Sequence, residues 1–320
     1  MKILVTGGCG YIGSALIPHL LARDHQIVNL DAQWFGHGFL PQDNEHLTNI
    51  KTDLGDTDAL VKGLKGCQVV IHLAGMTSDT ACRDNPKEAR DANVEQFNEL
   101  LRASLVYGVK RFIFLSSSAA YGNTGSAVGE MRELSPTTPY GIYKKECEEI
   151  LKGIRNEKTN IYVLRPAGVF GYAPRMRFDL MVNMMTAHAA LKGEIQVAGG
   201  EQVRPHLHIR DLIEVIIRLL TAHIPSAVFN VVHENQAVMG TANIVKDIVG
   251  KLMKKEVTIH VSERTDDRSY AINGEGLQSI LSFKCRRNIR DGVAEICRGF
   301  QSGQWKDALD NRAYANLPQL

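Results

Sequence analysis

Short apolar runs recur through the first half of the chain, at residues 2–6, 26–31, 50–53, 68–74, 111–116 and 161–165. Between them lie stretches in which apolar residues return every three or four positions, at 12–23, 56–64, 88–107 and 140–155. The runs read as β-strands and the stretches as amphipathic helices, because side chains alternate faces every two residues in a strand and every 3.6 in a helix. In the first helix Ile12, Leu16, Leu20 and Leu21 share one side, and Pro18 inside it argues against an unbroken hydrogen-bond ladder. Strands alternating with helices predict a parallel sheet covered on both faces. The unbroken Val69-Val70-Ile71 and Phe112-Ile113-Phe114-Leu115 fit strands buried on both sides.

The character changes after Gly171. Tyr172-Ala173-Pro174-Arg175-Met176-Arg177 reads as a loop, followed by a methionine-rich helix at 178–191. A short strand at 195–197 precedes a Gly-Gly turn. Helices follow at 211–221, 241–253 and 289–301, with a strand at 228–232. The expected architecture is a Rossmann-type doubly wound α/β sheet over residues 1–170 and a smaller α/β substrate lobe over 171–320. Segments within 207–232 are expected to return to the first sheet.

Composition adds mainly exclusions. Of 320 residues, 44% are hydrophobic and 22% charged, an ordinary balance for a globular enzyme. The formal charge of +2 is too mild to point to nucleic acid. The short cluster Cys285-Arg286-Arg287 with Arg290 reads as solvated surface. Cys9, Cys67, Cys82, Cys147, Cys285 and Cys297 have neither C-x-x-C nor zinc-finger spacing, so buried free thiols in a reducing compartment are expected. No run approaches the roughly 20 apolar residues of a membrane span. The opening Met1-Lys2-Ile3-Leu4-Val5 enters a glycine turn too soon for a signal peptide, and a cytoplasmic location is expected. Met176, Met181, Met184 and Met185 read as core packing ahead of an adaptable pocket. His206 and His208 alternate as on a strand. They lack companions for a metal site, and none is expected.

Three segments carry candidate chemistry. The first is Thr6-Gly7-Gly8-Cys9-Gly10-Tyr11-Ile12-Gly13, between the first strand and helix. There Gly7 permits a tight turn, Gly10 lets backbone amides approach a pyrophosphate, and Gly13 lets helix and strand pack closely. The helix N-terminus with its free N–H groups then faces the anion. The glycines are spaced three and three, unlike G-x-G-x-x-G, and a purely structural glycine turn is the competing reading. Asp31 closes the second strand, where an acid accepts from the adenosine ribose hydroxyls and repels a 2′-phosphate, which favours NAD over NADP. Asp53-Leu54 follows the next strand and could meet the adenine edge.

The second segment is Ser116-Ser117-Ser118, at the end of a buried strand where ligands of open α/β sheets bind. The third is Pro139-Tyr140-Gly141-Ile142-Tyr143-Lys144, which opens a helix. Tyr140 and Lys144 are one turn apart on one face. An ammonium there is expected to lower the phenol pKa toward neutrality, so that the phenol can exchange a proton with a sugar hydroxyl during hydride transfer. Lys144 could also hold the nicotinamide ribose.

The ordered set of Thr6 to Gly13, Asp31, Asp53-Leu54, His72-Leu73-Ala74-Gly75, Ser116 to Gly122, Tyr140 to Lys144 and Leu164-Arg165-Pro166 resembles the extended short-chain dehydrogenase/reductase family. The resemblance is strongest to its NAD-dependent epimerase/dehydratase branch, which acts on sugar nucleotides. It covers nearly the whole chain and implies the following roles. Ser117, four residues before Tyr121-Gly122, is the catalytic hydroxyl, Tyr140 the base and Lys144 its partner. Leu73, Ala74, Gly75, Asn93 and Ser116 join the cofactor site, and Asn93 supports the active site from its helix. Arg204 and Asp211 match the Arg and Asp of the substrate lobe. Ser118, Arg204, Arg264 and Arg268 are placed at the substrate, where guanidinium forks suit a diphosphate. Two departures stand out. Gly168 replaces an Asn usual three residues after the Arg matched by Arg165, and Ser118-Ala119 replaces the acids of 4,6-dehydratases. The expected activity is C4 epimerisation of a nucleotide sugar with bound NAD. Reduction of a 4-keto-6-deoxy sugar nucleotide is the alternative; dehydration and a non-catalytic dinucleotide sensor stand further back. A homodimer through helices 88–107 and 140–155 is also implied.

Overall fold

The computed structural model describes residues 1–156, 158–263 and 268–316. In its first half the strands are β1 (Lys2–Thr6), β2 (Gln26–Asp31), β3 (Leu47–Lys51), β4 (Val69–His72), β5 (Arg111–Leu115), β6 (Ala127–Val128) and β7 (Asn160–Pro166). The helices are α1 (Tyr11–Leu21), α2 (Thr57–Leu64), α3 (Asp79–Asp84), α4 (Pro86–Arg90), α5 (Gln96–Val106) and α6 (Pro139–Lys152). The second half holds strands β8 (Gly168–Phe170), β9 (Glu194–Ala198), β10 (Val203–His208), β11 (Ala227–Val231), β12 (Glu234–Ala237), β13 (Thr258–Ser262) and β14 (Ala271–Ile272). Its helices are α7 (Met181–Lys192), α8 (Ile209–Thr221), α9 (Val238–Met253), α10 (Glu275–Leu281) and α11 (Ile289–Gln301). Among the described residues no helix is long and apolar enough to cross a membrane.

Seven strands form one parallel sheet in the order β11-β7-β5-β4-β1-β2-β3. The order reverses at β1, which pairs with β2 on one side and β4 on the other. At such a reversal the loops leaving the two halves part, and a crevice opens beyond the strand ends. Thr6 is paired there with Leu30 and His72. One face of the sheet is covered by α1 and α8, whose Ile209, Leu212, Ile213, Ile216 and Leu220 recur at helical spacing and are buried. The other is covered by α2, α5 and α6 through Leu60, Phe97, Leu101 and Cys147. A separate apolar cluster under α7, α9 and α11 holds the rest together, with β8, β10 and β12 as a small mixed sheet and β9 and β13 as a parallel pair.

Several expected bounds shift. The third strand starts at Leu47 and ends at Lys51; its start was missed because three of its five residues face solvent and lack an apolar signature. The helix expected over 88–107 is broken into α4, a π-helical turn at Asp91–Glu95, and α5. Pro18 sits inside α1 without ending it. Met176 and Met185 are core residues, and all six cysteines are buried and free.

Candidate active site

The glycine loop leaves β1 and lies against the end of β4. Gly7 has φ +74°, and a Cβ there would stand 2.7 Å from the Ala74 backbone nitrogen, so only glycine allows the approach. Gly10 is the N-cap of α1, and no side chain caps it. Its first N–H groups thus remain available to an anion. Asp31 accepts hydrogen bonds from the backbone N–H of Cys9 (2.8 Å) and of Gln33 (2.6 Å). Burial pushes its carboxyl above the ordinary range, against the pull of those two bonds.

These groups border a cavity of about 650 Å³. Gly7, Gly10, Tyr11, Ile12 and Gly13 line it from the loop and α1. Asp31, Asp53 and Leu54 line it from the ends of β2 and β3, and Leu73, Ala74 and Gly75 from β4. Trp34, Phe35, Thr77, Arg177 and Asn316 are among the lining residues that were not foreseen, as are Lys51, Glu88 and Asp91. An uncapped helix N-terminus and a half-buried acid at the switch point of a parallel sheet fit a dinucleotide.

Four residues expected at the cofactor are not on that wall: Asn93, Ser116, Tyr140 and Lys144. Asn93 sits in the π-helical turn. Its side-chain amide donates to the carbonyls of Met76 (3.1 Å) and Ala89 (2.8 Å), and its backbone carbonyl accepts from the Cys147 thiol. It thereby ties the loop after β4 to α4 and α6. The Ser116 hydroxyl donates to Glu148 at 2.5 Å.

Helix α6 brings the proton-transfer groups to the end of β5. The Thr138 hydroxyl accepts from the Gly141 N–H and starts the helix. Gly141 packs on the turn at Ser118–Tyr121; a Cβ there would meet the Ala119 carbonyl oxygen at 2.9 Å. Ser117 caps that turn, its hydroxyl accepting from the Ala119 N–H. Lys144, only 5% exposed, donates to the Leu115 carbonyl at 2.8 Å. Its ammonium lies 5.5 Å from the Tyr140 ring centroid and 4.8 Å from that of Phe114. Burial pulls the Lys144 pKa down to about 8. The Tyr140 phenol is not lowered as expected: burial pushes it above its ordinary value, and the largest opposing charge is Arg177. Desolvation of the phenolate outweighs the pull of that guanidinium. His72, buried behind Lys144, is held down to about 3 by burial and bonds Thr6 through Nδ1 at 2.8 Å.

A buried network that was not anticipated lies beneath. Arg165 (2% exposed) makes a fork on Glu148 (1%), with Nη2 to Oε2 at 2.6 Å. Its Nη1 donates to the Tyr121 hydroxyl at 2.6 Å, which donates in turn to Asn230 at 2.8 Å. Glu148 is four residues after Lys144, so its place on the buried face of α6 was readable from spacing.

Arg204 and Arg268 both lie near Tyr270. Arg204 places its guanidinium 5.5 Å from the Tyr270 ring. Arg268 pairs with Asp79 at 3.3 Å, and Arg264 lies outside the described residues. Gly168 is exposed at the start of β8. Asp211 is a buried anchor, accepting from the N–H groups of Arg286 and Arg287 and pairing with the Arg287 guanidinium. His206 and His208 are buried, against Thr241 and Glu295.

A parallel sheet with a glycine loop at its switch point, next to a strand-end serine and a Tyr–Lys pair, defines a dinucleotide-binding Rossmann enzyme of the short-chain dehydrogenase type. The sequence matches the NAD dependent epimerase/dehydratase family over residues 3–231, and the chain belongs to that family. It is an enzyme whose cofactor is NAD. The Bacillus subtilis (strain 168) protein YtcB, described as an uncharacterised UDP-glucose epimerase, is 29% identical over 92% of this chain and 96% of its own. The UDP-glucose 4-epimerase of Thermotoga maritima, solved with UDP-glucose, superposes with TM-score 0.84 at 26% identity, covering 95% of this chain and 99% of that one. MoeE5, solved with UDP-glucuronic acid and NAD, gives 0.83 at 26% identity over 95% and 100%.

Proposed function

We propose that the protein epimerises a nucleotide sugar at C4 through a transient keto sugar. The observation that carries this reading is the Tyr140–Lys144 pair at the end of β5, on a helix packed closely against the turn that Ser117 caps. The relatives named as UDP-glucose 4-epimerases support the same chemistry. Bound NAD supplies a hydride acceptor that can return the hydride.

The chain's own residues divide the remaining work. Tyr140 takes the proton of the sugar hydroxyl and gives it back. Ser117 hydrogen-bonds the same oxygen. Lys144 holds a positive charge beside the phenol and helps orient the nicotinamide ribose. Gly7, Gly10, Tyr11, Ile12 and Gly13 hold the pyrophosphate, Asp31 the adenosine ribose, and Asp53 and Leu54 the adenine; Leu73, Ala74 and Gly75 border the cofactor. Asn93 and Ser116 act indirectly, through backbone and Glu148 contacts. Arg204, Arg268 and Ser118 serve the sugar nucleotide. Ser118-Ala119 offers no acid to expel a 6-hydroxyl, which speaks against dehydration. The cofactor domain comprises residues 1–170 with segments of 207–232, and the rest forms the substrate lobe.

Incubation with UDP-, GDP-, CDP- and dTDP-sugars, followed by NMR of the products, tests this. A C4 epimer formed without net consumption of NAD is the expected result; stoichiometric NADPH oxidation with a keto sugar would make the protein a reductase instead. Tyr140→Phe is expected to lose about 10²- to 10⁴-fold in kcat while retaining NAD. Unchanged turnover would remove Tyr140 from the proton-transfer role.

A further inference from the structure

Arg177 stands in the loop between β8 and α7 and shares the dinucleotide cavity with Gly10 and Tyr11. Its side chain is 12% exposed. Nε and Nη2 make a fork on Asp179, at 3.0 and 2.6 Å, and Nη1 donates to the Thr77 hydroxyl at 3.2 Å. A guanidinium has five N–H donors, so these bonds leave two for another acceptor.

The loop is fastened at both sides. The Arg177 carbonyl accepts from the Asn183 amide at 3.0 Å, and the same amide reaches the Tyr11 hydroxyl on α1 at 3.2 Å. On the other side Asn316 donates to Thr77 at 2.8 Å and to Asp179 at 3.3 Å, and accepts from Arg175 at 2.5 Å. The Arg177 head is therefore set in place before any ligand arrives, which lowers the entropy lost on binding.

Lys51 and the carboxylates of Asp31, Asp53, Glu88 and Asp91 also line this cavity, and two groups with N–H donors to spare border it: the uncapped N-terminus of α1 and the Arg177 guanidinium. Together they call for an anion, and in a dinucleotide the negative charge lies in the diphosphate. We propose that Arg177 is a cofactor-positioning residue that holds the diphosphate of the bound dinucleotide together with the α1 N-terminus. The proposal rests on the family's cofactor and not on the identity of the sugar, so it stands or falls independently of the epimerase reading.

Binding to the full chain stripped of dinucleotide tests it, by titration with NAD⁺, ADP-ribose, adenosine and UDP. Arg177→Gln is expected to weaken NAD⁺ and ADP-ribose by about 10- to 100-fold, the range of a charge-assisted hydrogen bond. Adenosine, which lacks the diphosphate, and UDP are expected to stay within about twofold. Arg177→Lys recovers part of the loss. Unchanged ADP-ribose affinity overturns the proposal. So does a matching loss for adenosine, which marks general damage, and so does a loss confined to UDP, which moves Arg177 to the substrate. Should Arg177→Gln fail to fold, Thr77→Val, which removes one anchor and keeps the charge, carries the test. It is expected to give a smaller loss for NAD⁺ and ADP-ribose alone, and equal affinities for all four ligands would overturn the proposal.

Discussion

Lys144 gives its ammonium one backbone carbonyl and almost no water. Folding moves its pKa from 10.5 to about 8. Between those values the unfolded chain carries a proton that the folded chain has lost, so stability from this group rises with pH across the window; below about 8 the full penalty applies. In urea unfolding at pH 8 and pH 10, wild type is expected to gain stability relative to Lys144→Met as pH rises. A constant difference would show that the folded Lys144 keeps an ordinary pKa. The spacing of Tyr140 and Lys144 was legible because one helical turn separates them. Arg177 was not: Asp179 is two residues on, but the groups that tie the pair to the cavity wall lie far along the chain, Thr77 being 100 residues away and the Asn316 that shares Thr77 239 beyond it. The direction of the Tyr140 shift was misjudged for a related reason. Spacing reveals the neighbouring cation but not that the fold partly buries the phenol.

Helix α6 works as a unit whose distance from β5 sets the site. Gly141 faces the Ala119 carbonyl so closely that an added methyl must displace backbone. Gly141→Ala is expected to cost about 1–3 kcal/mol of stability and to lower kcat with little change in NAD affinity, because the dinucleotide cavity does not include α6. Calorimetry and NAD titration on the same preparation check this, and a kcat equal to wild type would show that the approach of α6 is not tuned. The long elements of the sheet were readable from periodicity, and α11 matches residue for residue. The shorter ones were not. β6 and β14 have two residues each and exist through their pairing with one another across 143 positions of sequence, from Val128 to Ala271. The π-helical turn was hidden because its apolar residues continue the pattern of the helices on either side.

At the scale of the molecule, α4 and α6 are joined by Arg90 on Glu146, with two bonds of 2.9 and 2.6 Å. Val106 and Tyr107 at the end of α5 and Ile142 on α6 are exposed apolar groups. A homodimer through α5 and α6 is expected to cover part of this surface, and light scattering at working concentration should return twice the chain mass; a single-chain mass would dismiss it. The order of the large sheet has a further consequence, in time. Its outer strand β11 begins at Ala227, whereas its neighbour β7 ends at Pro166. The family match likewise runs to residue 231. At about 5–20 residues per second, a ribosome needs roughly 3–12 seconds to make the intervening stretch. During that interval β7 presents an unpaired apolar edge to its surroundings, the kind of edge that invites wrong partners. Slowing translation between residues 166 and 227 should therefore raise aggregation of the nascent chain more than slowing it after residue 231.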